Sequence, residues 1–135
     1  MNDNVFLDTN ILVYSYSISE KDKQFIARKL IAESDSYIST QVLTELANTL
    51  IRKFKLSFDI TLEAIHECSA NNHGFTNNPQ TIKKAIKIAE KYGFSFYDSL
   101  IISAALESGC KLLYSEDMHH GQIIEKKLTI INPFL

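Results

Sequence analysis

VFLDTNILVYSY, residues 5–16, sets three consecutive apolar side chains directly before an acid and then resumes an apolar run. A short continuous apolar run closed by polar residues marks a strand buried on both faces, the kind found inside a parallel sheet. Val5–Asp8 is therefore predicted as a strand whose carboxyl end opens on Asp8. Ser36–Ser39 (SYIS), Lys111–Ser115 (KLLYS) and Leu128–Ile131 (LTII) have the same character. Helical periodicity predicts helices over Ile11–Tyr16, Glu20–Glu33, Thr40–Phe54, Phe58–Cys68, Gln80–Lys91 and Phe96–Ser108, with Gly93 and Gly109 where carboxyl-terminal caps belong. Ala70–Pro79 (ANNHGFTNNP) reads as the one loop-rich stretch. Strands spaced by helices predict an α/β fold, with a parallel sheet covered by helices on both faces. By length it is one domain, residues 1–135.

In an open sheet of this kind the working site lies beyond the carboxyl ends of the strands. Asp8 ends one predicted strand and Asp117 follows another shortly after Ser115, so topology alone brings two distant acids to one edge. Two further acids sit on helices. Asp98 has Ile101, Ile102 and Ala105 at helical spacing, an apolar flank on which a lone charge is costly. Glu45 lies beside Gln41, Asn48 and Arg52, opposite a stripe of Leu43, Leu46, Ala47, Leu50, Ile51 and Phe54. Each acid has an ordinary reading as well. Asp8 suits a helix N-cap, although Thr9 or Asn10 would free it. Ser95 and Asp98 fit a capping box, and Glu45 complements a helix dipole. Taken together, four carboxylates suit a hard divalent cation such as Mg2+ or Mn2+. The chemistry such a set serves best is phosphodiester hydrolysis. His119 and His120, just after Asp117, are candidate contacts to a substrate phosphate. Phe94, Phe96 and Tyr97, ahead of an apolar helix, read as core or dimer contacts.

The composition, 45% apolar and 22% charged, is that of a globular chain. The start, MNDNVFLDTN, is acidic and too weakly apolar for a secretory signal or a membrane span, so a cytoplasmic location is expected. Cys68 and Cys110 lack C-x-x-C or finger-like spacing and read as buried thiols. The net charge of −2 argues at first against a polyanionic partner. With the four candidate acids set aside, 12 acids face 14 Lys and Arg, and nucleic acid stays compatible with the balance.

These residues carry a family likeness. FLDTNIL, TELAN after the second strand, FYDSLIISAAL closed by Gly109, LLYSEDMHHGQ and the terminal INPF follow one another in an order and spacing that resembles the PIN-domain nucleases, and more narrowly their toxin-type VapC members. The resemblance implies a three-layer α/β/α sandwich with a central parallel sheet, and RNA cleavage with Mg2+ or Mn2+. It places metal ligation at Asp8, Glu45, Asp98 and Asp117, with Asn10 and Ser115 as polar supports. Ser115 stands where the pattern often has threonine, and Glu116 is not one of its core acids. It also implies a homodimer and a small antitoxin protein.

Two other readings compete. An aspartyl-phosphate phosphatase with Asp8 as nucleophile would want a second Asp two residues later, where this chain has Asn10. A non-catalytic module for nucleic acid or partner binding would have no need of all four acids. The helix over Phe96–Ser108 is apolar almost all round, which predicts more apolar surface than one small sheet covers and hence a homodimer.

Overall fold

The computed structural model describes residues 4–135; residues 1–3, the start of the acidic amino-terminal segment, lie outside the described residues. In chain order the elements are β1 (Asn4–Leu7), α1 (Thr9–Tyr16), α2 (Lys21–Glu33), β2 (Asp35–Ser39), α3 (Thr40–Arg52), α4 (Phe58–Asn71), β3 (His73–Phe75), α5 (Pro79–Tyr92), α6 (Phe96–Glu107), β4 (Leu112–Tyr114), β5 (Ile123–Ile124) and β6 (Leu128–Ile131).

The strands form one sheet in the order β3-β2-β1-β4-β6-β5. β1 runs parallel to both neighbours, with Phe6 opposite Tyr37 of β2 and Leu113 of β4. Phe6, Leu7 and Leu113 have no exposed surface, as the apolar runs predict for strands covered on both faces. Right-handed crossovers explain the layers. As the chain steps outward from β1 to β2 to β3 it lays α1–α4 over one face, where α1 packs on α2 and α3, and α3 on α4. The return to β4, on the far side of β1, lays the α5–α6 pair over the other face. The result is the three-layer α/β/α sandwich, and the order reverses between β1 and β4.

The sheet departs from the all-parallel expectation at one edge, where β5 runs antiparallel to β6. The turn that joins them holds Glu125 and Lys126 at φ of 53° and 58°. Such a turn ordinarily announces itself by Asn-Gly, and this one carries neither residue. Its geometry is held from outside, by Lys91 and Tyr92 of α5 on the Glu125 carboxylate at 2.7 and 2.8 Å. The stretch read as loop over Ala70–Pro79 also contains a strand, β3, paired with β2. With only His73, Gly74 and Phe75, it lacks the apolar run that a buried strand shows.

The apolar character of α6 has an internal explanation. Its residues from Ser99 to Ala105 are all buried within this single chain, so this stretch is the inner part of its layer, whereas Phe96 and Tyr97 in the first turn, expected as core or dimer contacts, are exposed and do not belong to the core. Other large exposed apolar side chains include Phe25 on α2, Phe58 and Leu62 on α4, and Ile82 and Ile86 on α5. Helix α3 buries Val42, Leu46 and Leu50, so Leu46 and Leu50 of the predicted stripe are kept while Val42 takes the buried place expected for Leu43, and with this rotation Glu45 faces Thr9 of α1. Cys68 and Cys110 are free and buried, as expected. Among the described residues no helix is long and apolar enough to cross a membrane.

Leu46 sits fully buried in the stripe that holds α3 in place. Leu46→Ala is expected to cost about 2–5 kcal/mol by leaving a cavity. Ser57→Ala, which removes only the hydroxyl capping Ile60 N–H at the start of α4, is expected to cost about 1 kcal/mol. Urea unfolding of both variants measures the difference; equal losses would contradict the placement of Leu46 in the core.

Candidate active site

The site grows from the junction of β1 and α1. The Asp8 N–H extends the β1–β4 ladder by donating to the Tyr114 carbonyl at 3.0 Å, and the next residue already begins α1. The Asp8 side chain is thereby fixed at the carboxyl edge of the sheet, beside the point where strand order reverses. Asp8 is itself the N-cap: its Oδ1 accepts the Thr9 N–H at 2.7 Å. The expectation that Thr9 or Asn10 frees Asp8 from capping fails, because their side chains turn to other acids. Thr9 donates its hydroxyl to Glu45 Oε1 at 2.5 Å, and Asn10 donates its amide to Asp117 Oδ2 at 3.0 Å.

Capping does not account for the rest of the Asp8 environment. Its Oδ2 accepts the hydroxyl of Ser115, itself wholly buried, at 2.8 Å. Asp8 is only 7% exposed, and burial pushes its carboxyl from 3.8 up to about 6. The hydrogen bonds from Ser115 and Thr9 pull the other way, and the charges of Asp98 and Glu45 add to the rise. Asp98 is also raised, first by desolvation and then by Asp117 and Glu45, against a lowering contribution from Ser95. The four predicted acids thus form one electrostatic cluster, drawn from the ends of β1 and β4 and from two helices. It contains no lysine or arginine among the groups that shift Asp8 and Asp98.

At Asp98 the cap engages both the main chain and the acid. The Ser95 hydroxyl accepts the backbone N–H of Asp98 at 3.2 Å and also acts on the carboxyl, which it lowers, while the side chain stays half-exposed beside Glu45 and Asp117. Glu45, half-buried instead of solvated, is positioned by Gln41, whose amide donates to Glu45 Oε2 at 3.3 Å and to the Tyr97 carbonyl at 3.2 Å. Gln41 therefore ties the α3 acid to the first turn of α6, next to Asp98. Its Oε1 is buried without a hydrogen-bond partner. Sequence reading named Gln41 only as a neighbour of Glu45; the one legible signal was its position one helical turn before that acid.

Glu116 lies apart from this cluster in its bonding. Its two oxygens are taken by the Tyr14 hydroxyl at 2.5 Å and the Lys23 ammonium at 2.6 Å. Burial disfavours charge on Glu116, but Lys23 and Tyr14 outweigh it and hold the carboxyl below its ordinary value. Lys23 also lies over the rings of Tyr14 and Phe134, at 4.8 and 5.7 Å from their centroids. His119 and His120 stand in the loop after Asp117. The His120 ring accepts the Asn132 N–H at 2.9 Å, and neither histidine lines the groove that holds Glu45 and Asp117.

Among the described residues, no three His, Cys, Asp or Glu side chains stand close enough to cage an ion by themselves. That is no obstacle to Mg2+, which takes one or two carboxylates and keeps several of its waters. The donor set is all oxygen, as a hard cation prefers. The orphaned Gln41 Oε1 beside Glu45 is an acceptor that a hydration water would satisfy. The residues present fit such an ion.

Comparison with known proteins agrees with this geometry. A toxin–antitoxin complex from Klebsiella pneumoniae is similar over 96% of this chain and 97% of that one, with a TM-score of 0.69 at 14% identity. VapC20 from Mycobacterium tuberculosis, described as a sarcin-ricin loop cleaving toxin, has a TM-score of 0.68 at 18% identity over 84% of this chain and 89% of its own. VapBC2 from Rickettsia felis, bound to a DNA fragment from its promoter, has a TM-score of 0.60 at 18% identity over 84% and 88%. At these identities the likeness is one of fold. The search of curated proteins gives no match. The family model described as PIN domain matches residues 5–125, a span that holds both strand-end acids and both helix acids, and the chain belongs to the PIN domain family.

Proposed function

We propose that the protein is a Mg2+- or Mn2+-dependent endoribonuclease that hydrolyses RNA phosphodiester bonds at Asp8, Glu45, Asp98 and Asp117. The observation that carries this reading is the Asp8 carboxylate, buried at the sheet's reversal point with Glu45 and Asp98 as its charged neighbours. A fold that needed only a helix cap gains nothing from adding like charges to a buried acid. A divalent cation, when bound, supplies the Lewis acid that lowers the pKa of water and offsets charge on a phosphoryl group.

The chain's own residues prepare the site for that ion. Ser115 and the Thr9 N–H fix the two oxygens of Asp8 in one orientation, as outer partners do for ligating carboxylates. Asn10 orients Asp117, and Thr9 with Gln41 orients Glu45. The Lys23–Tyr14 pair keeps Glu116 out of competition for the cation. Membership of the PIN domain family and the likeness to toxin structures support a toxin–antitoxin role. In that role the protein forms a homodimer in the cytoplasm and is silenced by a small antitoxin, which the exposed apolar side chains of α2, α4 and α5 are available to meet.

Asp8→Asn is expected to lower RNA cleavage by at least 100-fold while the fold persists, and excess chelator is expected to abolish cleavage by the wild type. Gel assays on mixed RNAs with Mg2+, Mn2+ or chelator check both; undiminished cleavage in chelator would falsify the mechanism.

The raised Asp8 carboxyl has a definite sign for stability. A folded-state value of about 6 against 3.8 means that the fold binds this proton more tightly than the unfolded chain does. The benefit is present below pH 4 and is lost as pH rises through 6. In chelator, Asp8→Asn is therefore expected to gain stability over the wild type between pH 4 and 7, by roughly 2–3 kcal/mol from a shift of about two units. Parallel denaturant melts at the two pH values measure it, and a constant difference would remove the buried-charge account of Asp8.

Two substitutions separate ligand from cap at residue 98. Ser95→Ala is expected to cost about 0.5–2 kcal/mol with or without Mg2+. Asp98→Asn is expected to leave the cation-free protein as stable or more so, and to lose the added stability that Mg2+ gives the wild type. Thermal melts of both variants in chelator and in Mg2+ read this; an Asp98→Asn loss of equal size in both solutions would exclude a role in holding the ion.

A further inference from the structure

Beside the acid cluster the surface sinks into a groove of about 470 Å³ between α1 and α3. Asp117 lines it with Glu45, and from there Asn48 and Thr49 follow along α3 to Lys53 at the helix C-cap, with Val13 and Tyr14 of α1 also lining it. The charge changes along this line. Glu45 and Asp117 belong to the proposed cation site, Asn48 and Thr49 are neutral hydrogen-bonding groups, and Lys53 ends the row. From Glu45 to Lys53 the helix rises about 12 Å. That distance carries a single strand from a phosphodiester at the acids to a phosphate one or two nucleotides away.

The donors at the far end of the groove, Asn48 and Lys53, are exposed, whereas Thr9, Asn10 and Tyr14 near the acids already donate to Glu45, Asp117 and Glu116. Among the described residues Lys53 makes no ion pair. The remaining charge on the groove wall is answered already, since Lys23 and Tyr14 occupy both oxygens of Glu116. A polyanion entering the groove therefore meets acids only where a cation would shield them, and a free ammonium at the far end.

The geometry points to this α1–α3 groove as the subsite for the RNA strand flanking the scissile phosphodiester, with Lys53 on a neighbouring phosphate and the Asn48 amide on the intervening nucleotide. The inference rests on the RNA-hydrolase reading and adds the direction in which the strand leaves the acids. A phosphate contact gives a salt-dependent attraction, whereas an amide contact to a base or ribose does not.

The test uses a short fluorescein-labelled single-stranded RNA of mixed sequence, titrated in Mg2+ with full-length protein carrying Asp8→Asn to prevent turnover. In that background Lys53→Gln is expected to weaken binding roughly three- to ten-fold and to make the salt slope shallower by about 0.7, the value for one phosphate on a single strand. Asn48→Ala is expected to weaken binding roughly two- to five-fold with the slope unchanged. Lys87→Gln, on α5 outside the groove, is the control and is expected to change neither quantity. In the cleaving protein Lys53→Gln is expected to raise KM and leave kcat in place. Binding unaltered by both groove substitutions, or a loss from Lys87→Gln as large as that from Lys53→Gln, would overturn the subsite. A wild type that cleaves no RNA while the binding losses appear as expected would uphold the groove and overturn the hydrolase reading alone.

Discussion

Everything around the site answers to one cost, that of keeping the Asp8 carboxylate out of water at the end of a strand buried on both faces. Burial alone pushes this acid well above its ordinary range, and Glu45 and Asp98 add to the push. The surrounding hydrogen bonds reduce the cost without removing it. The Thr9 N–H and the Ser115 hydroxyl each stabilise the charged form, yet the carboxyl stays raised to about 6. No lysine or arginine is recruited to settle the account at Asp8. A buried acid arranged in this way carries its charge at a cost that its hydrogen-bond donors leave partly unmet.

Three neighbours are arranged to serve the same end. Thr9, Asn10 and Gln41 each hand a hydrogen bond to an acid: Thr9 to Glu45 and Asn10 to Asp117 on other elements, and Gln41 to Glu45 on its own helix. A carboxylate held by a directed donor presents its remaining lone pairs in a fixed direction, which is the preparation that metal ligands receive elsewhere. Gln41 does more than orient Glu45, because its second bond, to the Tyr97 carbonyl, joins α3 to the turn of α6 that carries Asp98. Glu116 shows the opposite treatment. An acid directly beside Asp117 is withdrawn from the cluster by Lys23 and Tyr14, and the aromatic pair of Tyr14 and Phe134, 5.1 Å between centroids, holds the ammonium in place.

The order of strands gives this chemistry its location. β1 lies centrally, flanked by β2 and β4, and the chain lays helices on opposite faces as it travels in the two directions from β1. The carboxyl ends of β1 and β4 are thereby open between two helical layers, and α3 and α6 reach in from either side. The same opening continues as the groove between α1 and α3. Site and groove are consequences of one topological reversal.

The sequence by itself determined the central strands, the helices and the four acids. Continuous apolar runs are best buried on both faces, and Asp8 directly after the first run and Asp117 shortly after the LLY run fall at the sheet edge whatever the details. The sequence held no sign of β3 or β5, because three and two residues are too few to carry a period and the Glu125–Lys126 turn lacks the glycine that announces such turns. Tertiary structure alone decided the rest. The rotation of α3 that turns Glu45 inward depends on which face packs against α1, and a one-residue change in the buried stripe reverses the reading of that acid from solvated to half-buried. The burial of α6 on all sides from Ser99 to Ala105 depends on the layer outside it, which periodicity within one helix does not contain. The commitments of Thr9, Asn10, Gln41 and Lys23 span 36, 107, 56 and 93 residues of chain at their longest, and a hydrogen bond over such distances exists only once the sheet has brought its two ends together.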